Sequence, residues 1–515
     1  MNRSKAQPWA AQTRRLFMRV ALPATLLALG ACGDGDNSEP DPTGQFGDSS
    51  VSGLNYSTAT GSGVTDASGR FSYKAGQSVA FSIGNLPLGS ANAAAVLTPL
   101  SITAGAATAA DQAVNNKLIL LQTLDVDGNL NNGIQLTDAI RSAVSARAAA
   151  INFNQTTAAF RTSLADLMTA LNAGAVFTDT DPRDRTVRTA VAALEHFNRA
   201  TAERNTVTTD TGPLRGYSPT AGTWQYLGIP YAAPPLANLR WRPPQTPAPW
   251  VGTRDAVAWG DQAPQNPAYQ AFGEGGMSED CLYLNVTAPK NANNLPVMVW
   301  FHGGGFVILT GNTKAFNNAA SLPTRDVVLV SVNHRLGPFG YLAHPALTTE
   351  SGYGGSGNYG QMDQIAALNW VKNNIARFGG NPGNVTIFGE SGGGGKVISL
   401  MNSPLATGLF HKAIVQSGMA DSAMTILNVP PLAQAEAVGT DLLTRLATPT
   451  LAQARAKTWV EIINAELAHY PRGDYKDAYG PNIDSHYATK SMRQNIEDGL
   501  PSDVPLLAGN NSGDM

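Results

Sequence analysis

Apolar and polar residues alternate in short runs where the chain first reads as folded: Val51/Leu54/Tyr56, Phe71/Tyr73 and Val79/Phe81/Ile83, with turn clusters such as TDASGR between them. A period of two predicts half-buried strands of a small sheet. From Asp111 the spacing lengthens, and Val114, Leu118, Leu121 and Leu124 fall at helical intervals. Further helices are predicted over 138–149, 160–172 and 186–203. Residues 49–204 therefore read as an accessory domain, strands first and helices after, without a catalytic constellation. From about Val207 strand-like VMVWF and VVLVSV precede helix-like DQIAALNWVKNNIARF, then strand NVTIFG and helix GGKVISLM. Strands alternating with helices predict an α/β fold over 205–515, a mostly parallel sheet flanked by helices on both faces.

The first 31 residues have the pattern of an export signal. Arg3, Lys5, Arg14, Arg15 and Arg19 lie there without an acid, and the apolar run over 20–29 is too short to span a bilayer. Leu29-Gly30-Ala31-Cys32 resembles a bacterial lipobox, whose cysteine is diacylated and becomes the new N-terminus. TRRLFMR resembles a twin-arginine signal, with the general secretory route as the alternative. The expected mature protein is exported and lipid-anchored through Cys32. Gly33 in place of an aspartate favours the outer membrane. Residues 32–48, polar and rich in Gly and Pro, read as a disordered tether.

Composition narrows the classes. A chain of 515 residues exceeds one compact core, and a formal charge of −3 leaves no basic footprint for nucleic acid. Lipidation accounts for one of two cysteines, so Cys281 is expected to be a buried, unpaired thiol. In the loop DVDGNLNNGIQLTD, Asp125, Asp127 and Asn129 alternate as calcium ligands do. Leu130 and Leu136, however, stand where such a loop needs glycine and a bidentate acid. It reads as a polar turn with Thr137 or Asp138 capping the next helix, and no metal or other cofactor is expected.

Chemistry is concentrated in two motifs. Gly389-Glu390-Ser391-Gly392-Gly393 joins a β-branched run to a helix-compatible one. A serine on such an elbow is exposed at the C-terminal edge of a sheet, and small neighbours are needed to make the turn. Upstream, FHGGGF (301–306) follows the strand VMVW. Successive glycines there present backbone N–H groups without a Cβ in the way, as an oxyanion hole requires.

From about 207 to 515 the chain resembles the type-B carboxylesterases, the cholinesterase-like branch of the α/β-hydrolases. The resemblance rests on LGIPYAAPPLANLRWRPP, SEDCLYLNV, FHGGGF, VSVNHRLGPFGYLA, GNYGQMDQIAALNWVKNNIARFGGNPGNVTIFGESGGG and GLFHKAIVQSG. It implies a serine hydrolase acting on small or medium carboxylic esters through an acyl-enzyme. Ser391 is then the nucleophile, and the N–H groups of Gly304, Gly305 and Gly392 form the oxyanion hole. Asp514, in GNNSGDM, takes the place of the family's glutamate. Arg240 with Glu279, and Arg335 with Asp363, match structural ion pairs. Three departures stand out. Glycine replaces the usual alanine at 392, which is expected to loosen the turn. Ala263 occupies the place of a cysteine that often pairs with the one matching Cys281, so the loop over 264–280 is expected to be more mobile. That loop also lacks tryptophan, which argues against choline esters.

A serine nucleophile needs a base, and the family order is serine, acid, histidine. The seven histidines are His196, His302, His334, His344, His411, His469 and His486, and none follows Asp514. The resemblance thus implies that the base and the elements around it lie beyond this sequence. The α/β part is expected to be incomplete, and the chain on its own poorly soluble and essentially inactive. Two other classes fit the same residues: a catalytically dead, cholinesterase-like surface adhesion protein, and a binding lipoprotein working through its accessory domain.

Overall fold

Where the central strands of the large sheet meet, their facing side chains are apolar and buried. Val297, Val299 and Phe301 of one strand meet Val328, Val330 and Val332 of the next, all inaccessible to solvent. The computed structural model describes residues 41–313, 321–418, 429–470 and 478–511. Pro42–Met515 form one compact unit. The main sheet has ten strands. Nine of them run β1 (Arg204–Thr208), β2 (Pro213–Thr220), β3 (Thr223–Pro230), β4 (Tyr283–Pro289), β5 (Leu295–Phe301), β6 (Val328–Val332), β7 (Gly380–Glu390), β8 (Lys412–Gln416) and β9 (Leu506–Gly509). Their spatial order is β1-β2-β3-β4-β6-β5-β7-β8-β9, and the short strand Arg254–Asp255 pairs with β2. Strands β1 to β4 are antiparallel, and β5 pairs in parallel with β6 and β7, β7 with β8 and β8 with β9. The C-terminal ends of β5, β6, β7 and β8 therefore share one edge. Helix α1 (Tyr359–Asn374) buries Ala367, Leu368 and Val371 in the sheet's core, and helix α2 (Gly392–Met401) leaves directly from β7.

The accessory half has its own apolar core, from Phe46 and Val51 to Phe197. A four-stranded antiparallel sheet (Ser62–Val64, Asn55–Ser57, Ser78–Ile83, Leu86–Asn92) and a three-stranded sheet precede five helices. The stretch 32–48, expected to be a tether throughout, is a correction. Thr43–Phe46 is a strand of the three-stranded sheet, and the Phe46 ring packs 4.6 Å from that of Phe81. The buried Phe46 ring acts together with backbone pairing to Arg70–Ser72 and Val96–Leu97, which offsets the entropy lost in ordering the run. Asp48 is also buried, accepting from Gln122 Nε2 at 2.8 Å.

The helices differ from expectation at their ends. The segment over 160–172 is two helices, Thr157–Ser163 and Ala165–Ala173, hinged at buried Leu164. Ser163 Oγ donates to the Phe160 carbonyl at the break, competing with the helical ladder. The predicted 186–203 helix starts at Ala190, where Thr189 caps the Ala192 N–H. The calcium-like loop spends its side chains on itself. Asp127 accepts from the Asn129 N–H and from Asn132, Asn129 from the Asn131 N–H, and Asp125 from the Gln135 N–H. Thr137 caps the helix Asp138–Ser145. Asn131, from the same loop, ties the two halves together. Its amide accepts from Val257 N–H at 2.9 Å and Ala258 N–H at 2.8 Å, and donates to the Ala258 carbonyl at 2.7 Å. No helix among the described residues is long and apolar enough to cross a membrane.

Candidate active site

Strand β7 rises from the sheet's interior to Glu390, and the chain then reverses into α2 through Ser391. Its backbone angles are φ 54° and ψ −124°, a region that L-residues avoid, and its side chain is exposed. Such strain persists only where the surroundings over-determine it. The glycines of the motif provide that constraint. A Cβ on Gly389 would stand 2.4 Å from the Gly393 carbonyl carbon, and one on Gly393 would stand 2.1 Å from the Phe301 oxygen. β7, α2 and the end of β5 are thus packed backbone to backbone around the serine.

The loop after β5 completes the group. Gly304 and Gly305 have φ of 79° and 61°, and a Cβ on Gly392 would meet the Gly305 nitrogen at 2.3 Å. The glycine at 392, expected to loosen the turn, instead admits the loop to close range. Among the described residues the N–H groups of Gly304, Gly305 and Gly392 have no hydrogen-bond partner. Ser391 and the three glycines picked from sequence are therefore brought together: a hydroxyl at a helix N-terminus beside three free backbone donors. Such a group can attack an electrophilic carbon and hold the negative charge that develops on its oxygen.

Beneath this loop lies a layer that the motifs did not announce. His302 and His334 are buried and stack with ring centroids 4.7 Å apart. Burial, and then the neighbouring Lys396 charge, push both imidazoles well below their ordinary pKa, so both are neutral. Lys396 is itself fully buried, and burial lowers its pKa to about 7. Its Nζ donates to the His302 carbonyl at 2.7 Å and to the Gly303 carbonyl at 3.3 Å. The only sequence signal was a single lysine in GGGGKVISL, between glycines and an apolar helix face.

The two ion pairs implied by the resemblance form. Arg335 meets Asp363 through Nε at 2.8 Å and Nη2 at 2.7 Å, with both side chains buried. Arg240 forks onto Glu279, with Nε at 2.7 Å. Buried Cys281 has no disulfide partner. The loop over 264–280 is fastened by other means. The Gly276 N–H donates to Asp261 at 2.8 Å, Asn312 donates to the Glu274 carbonyl at 3.0 Å, and Ser278 Oγ meets Thr180 Oγ of the accessory half.

Asp514 and Cys32, with the export signal, lie outside the described residues. Among the described residues no histidine hydrogen-bonds Ser391. His196 meets Ser49 Oγ at 2.9 Å, His411 accepts from the Val385 N–H, His344 caps a helix, His486 stacks on Tyr353, and exposed His469 packs on Tyr470. A cavity of about 1190 Å³ lies elsewhere, between the accessory segment 178–189 and the loop 258–276.

A strand–serine–helix elbow beside a glycine loop, on a mixed sheet with flanking helices, defines an α/β-hydrolase. Residues 203–515 match the profile described as "Carboxylesterase family". The chain belongs to the carboxylesterase family. It is 39% identical over 311 residues to fumonisin B1 esterase of Sphingopyxis macrogoltabida, covering 59% of this chain and 55% of that protein. Against para-nitrobenzyl esterase of Bacillus subtilis (strain 168) identity is 37% over 311 residues, covering 59% and 61%. A solved PNB esterase superposes with a TM-score of 0.55 at 34% identity, over 60% of this chain and 63% of that one. The chain thus spans between about half and two thirds of the length of these relatives.

Proposed function

We propose that the protein hydrolyses small or medium carboxylic esters through an acyl-enzyme on Ser391. The supporting observation is the strained, exposed Ser391 beside the glycine loop, where the N–H groups of Gly304, Gly305 and Gly392 have no partner among the described residues. Ser391 Oγ attacks the ester carbonyl carbon while a base takes its proton, and the three N–H groups bind the resulting oxyanion. Collapse breaks the bond to the alkoxy oxygen, which leaves as the alcohol with that proton, and water then releases the acid by the same route. In the family order the base is a histidine that follows the acid, and Asp514 is the carboxylate that orients it. The reading needs no cofactor. Relatives named as esterases support the reaction class. In the full gene product, Ser391→Ala is expected to abolish turnover of an aryl acetate and labelling by an organophosphonate. Undiminished hydrolysis in that variant refutes the reading.

We also propose that the mature protein starts at lipidated Cys32 and is held at the cell envelope. The basic segment, short apolar run and Leu29-Gly30-Ala31-Cys32 support this. Cys32→Ser is expected to block processing and to abolish incorporation of labelled fatty acid. A wild type that takes up no label, or a variant processed like the wild type, would count against a lipid anchor.

A further inference from the structure

We propose that Lys396 is a positioning residue of the oxyanion loop, clamping the peptide that carries the Gly304 N–H. The proposal rests on the esterase reading for its consequence in catalysis, but not for its geometry. The carbonyl of Gly303 and the N–H of Gly304 belong to one peptide group, which is planar and trans, so the two point in opposite directions. Whatever holds the carbonyl oxygen therefore aims the N–H. Lys396 Nζ donates to that oxygen at 3.3 Å and to the preceding carbonyl, of His302, at 2.7 Å. The ring of His302 adds its Nδ1, 3.0 Å from the Gly303 oxygen.

The clamp answers a specific weakness. The peptide is flanked by Gly303 and Gly304, and glycine backbones rotate with little steric resistance. Nothing in a Gly-Gly-Gly run fixes which way its N–H groups face. A cationic donor on the carbonyl side both restricts rotation and polarises the peptide, making its N–H a stronger donor. The lysine is well placed for this. It follows four glycines at the start of α2, so it is the first side chain of that helix that can reach under the loop. It is fully buried, and no carboxylate pairs with it among the described residues, so the two carbonyls are its hydrogen-bond partners. The Phe306 ring lies 5.7 Å from Nζ.

The clamp should also depend on pH, because its charge is lost near neutrality. The groups facing Lys396 are the His302 and His334 rings, already neutral, and the Phe306 ring. The Glu390 carboxylate also lies near, 3.2 Å from where a Cβ on Gly303 would stand. With the imidazoles held neutral, Lys396 changes protonation between pH 6 and 8.5, its pKa lying at about 7.

Hydrogen exchange read by mass spectrometry tests the clamp without any ester. The Val307 and Ile308 N–H groups both bond the Gly304 carbonyl, so the segment 302–309 reports on the loop's order. Lys396→Met, which keeps length and removes the donor, is expected to speed exchange of that segment at least ten-fold while β5 and β7 are unchanged. Lys396→Gln, a neutral donor, should fall between. In the full gene product Lys396→Met should lower kcat for an aryl acetate at least ten-fold with KM within two-fold. If exchange changes as stated but the wild type hydrolyses no ester, the clamp stands and the esterase reading fails. Wild-type exchange rates in Lys396→Met overturn the clamp. Should that variant not fold, the wild-type protein decides. Exchange of 302–309, corrected for its chemical pH dependence, must rise between pH 6 and 8.5 relative to β5 and β7, and a flat ratio overturns the proposal.

Discussion

Burying Lys396 should make stability depend on pH in a way that one substitution removes. Its pKa falls from 10.5 to about 7 on folding, because burial disfavours the charged form. Between those values the unfolded chain holds a proton that the folded one has released, so stability rises with pH across this window. The penalty is fully present below the folded value of about 7 and vanishes above 10.5. At about 1.4 kcal/mol per tenfold change in proton affinity, the fall from 10.5 to about 7 corresponds to about 5 kcal/mol at its limit. Integrated from pH 7 to pH 9.5 the change is about 3 kcal/mol. Lys396→Met has no proton to bind and should lack this component, although it leaves the His302 and Gly303 carbonyls without their donor at every pH. Urea unfolding of wild type and variant at pH 7 and 9.5 gives the check. Other groups titrate in both proteins and cancel, so the wild type should gain about 3 kcal/mol more than the variant between the two conditions. Equal gains would mean that Lys396 titrates as a solvated lysine, and that its burial beneath the loop is wrong.

Three further outcomes follow from buried contacts. Asp363→Asn leaves the inaccessible Arg335 guanidinium without its counter-charge and should cost about 3–5 kcal/mol in urea unfolding. Asn131→Ala strands the Val257 and Ala258 N–H groups and should cost at least about 2 kcal/mol, with faster proteolysis between the accessory and hydrolase halves. Cys281 is buried with its thiol pushed well above the ordinary range by desolvation, so mapping by mass spectrometry should find it unalkylated at pH 8 until denaturant is added.

The residues of the candidate site were legible because their chemistry is local. A serine between glycines at a strand-to-helix junction, and three glycines after an apolar strand, are constraints of backbone geometry, and backbone geometry is written in short stretches of sequence. The bulk alternation of strands and helices was legible for a similar reason, since burial on two faces demands continuous apolar strands such as β5 and β6. Boundaries were less so. Packing of Phe46 made part of a polar run a strand, and the Ser163 hydroxyl marks the break between two helices, because the partner of a single side chain overrides local composition.

What the sequence by itself determined is the inventory: Ser391, the glycines at 304, 305 and 392, the Arg335 and Asp363 pair, and a chain that alternates as an α/β sheet must. What only the tertiary structure decided is which groups meet across long separations. Parallel pairing of β5 with β7 brings Gly305 against Gly392, some ninety positions later, and sets Lys396 beneath His302 and Gly303. Asn131 reaches the backbone of 257 and 258, and the loop near Ser278 meets Thr180, by the same kind of closure. The physical reason is that such contacts have no local energetic signature. A lysine in a helix or an asparagine in a turn is equally at home in water. Only when the sheet forms, and water is excluded, does the same side chain become the one available donor for a buried carbonyl.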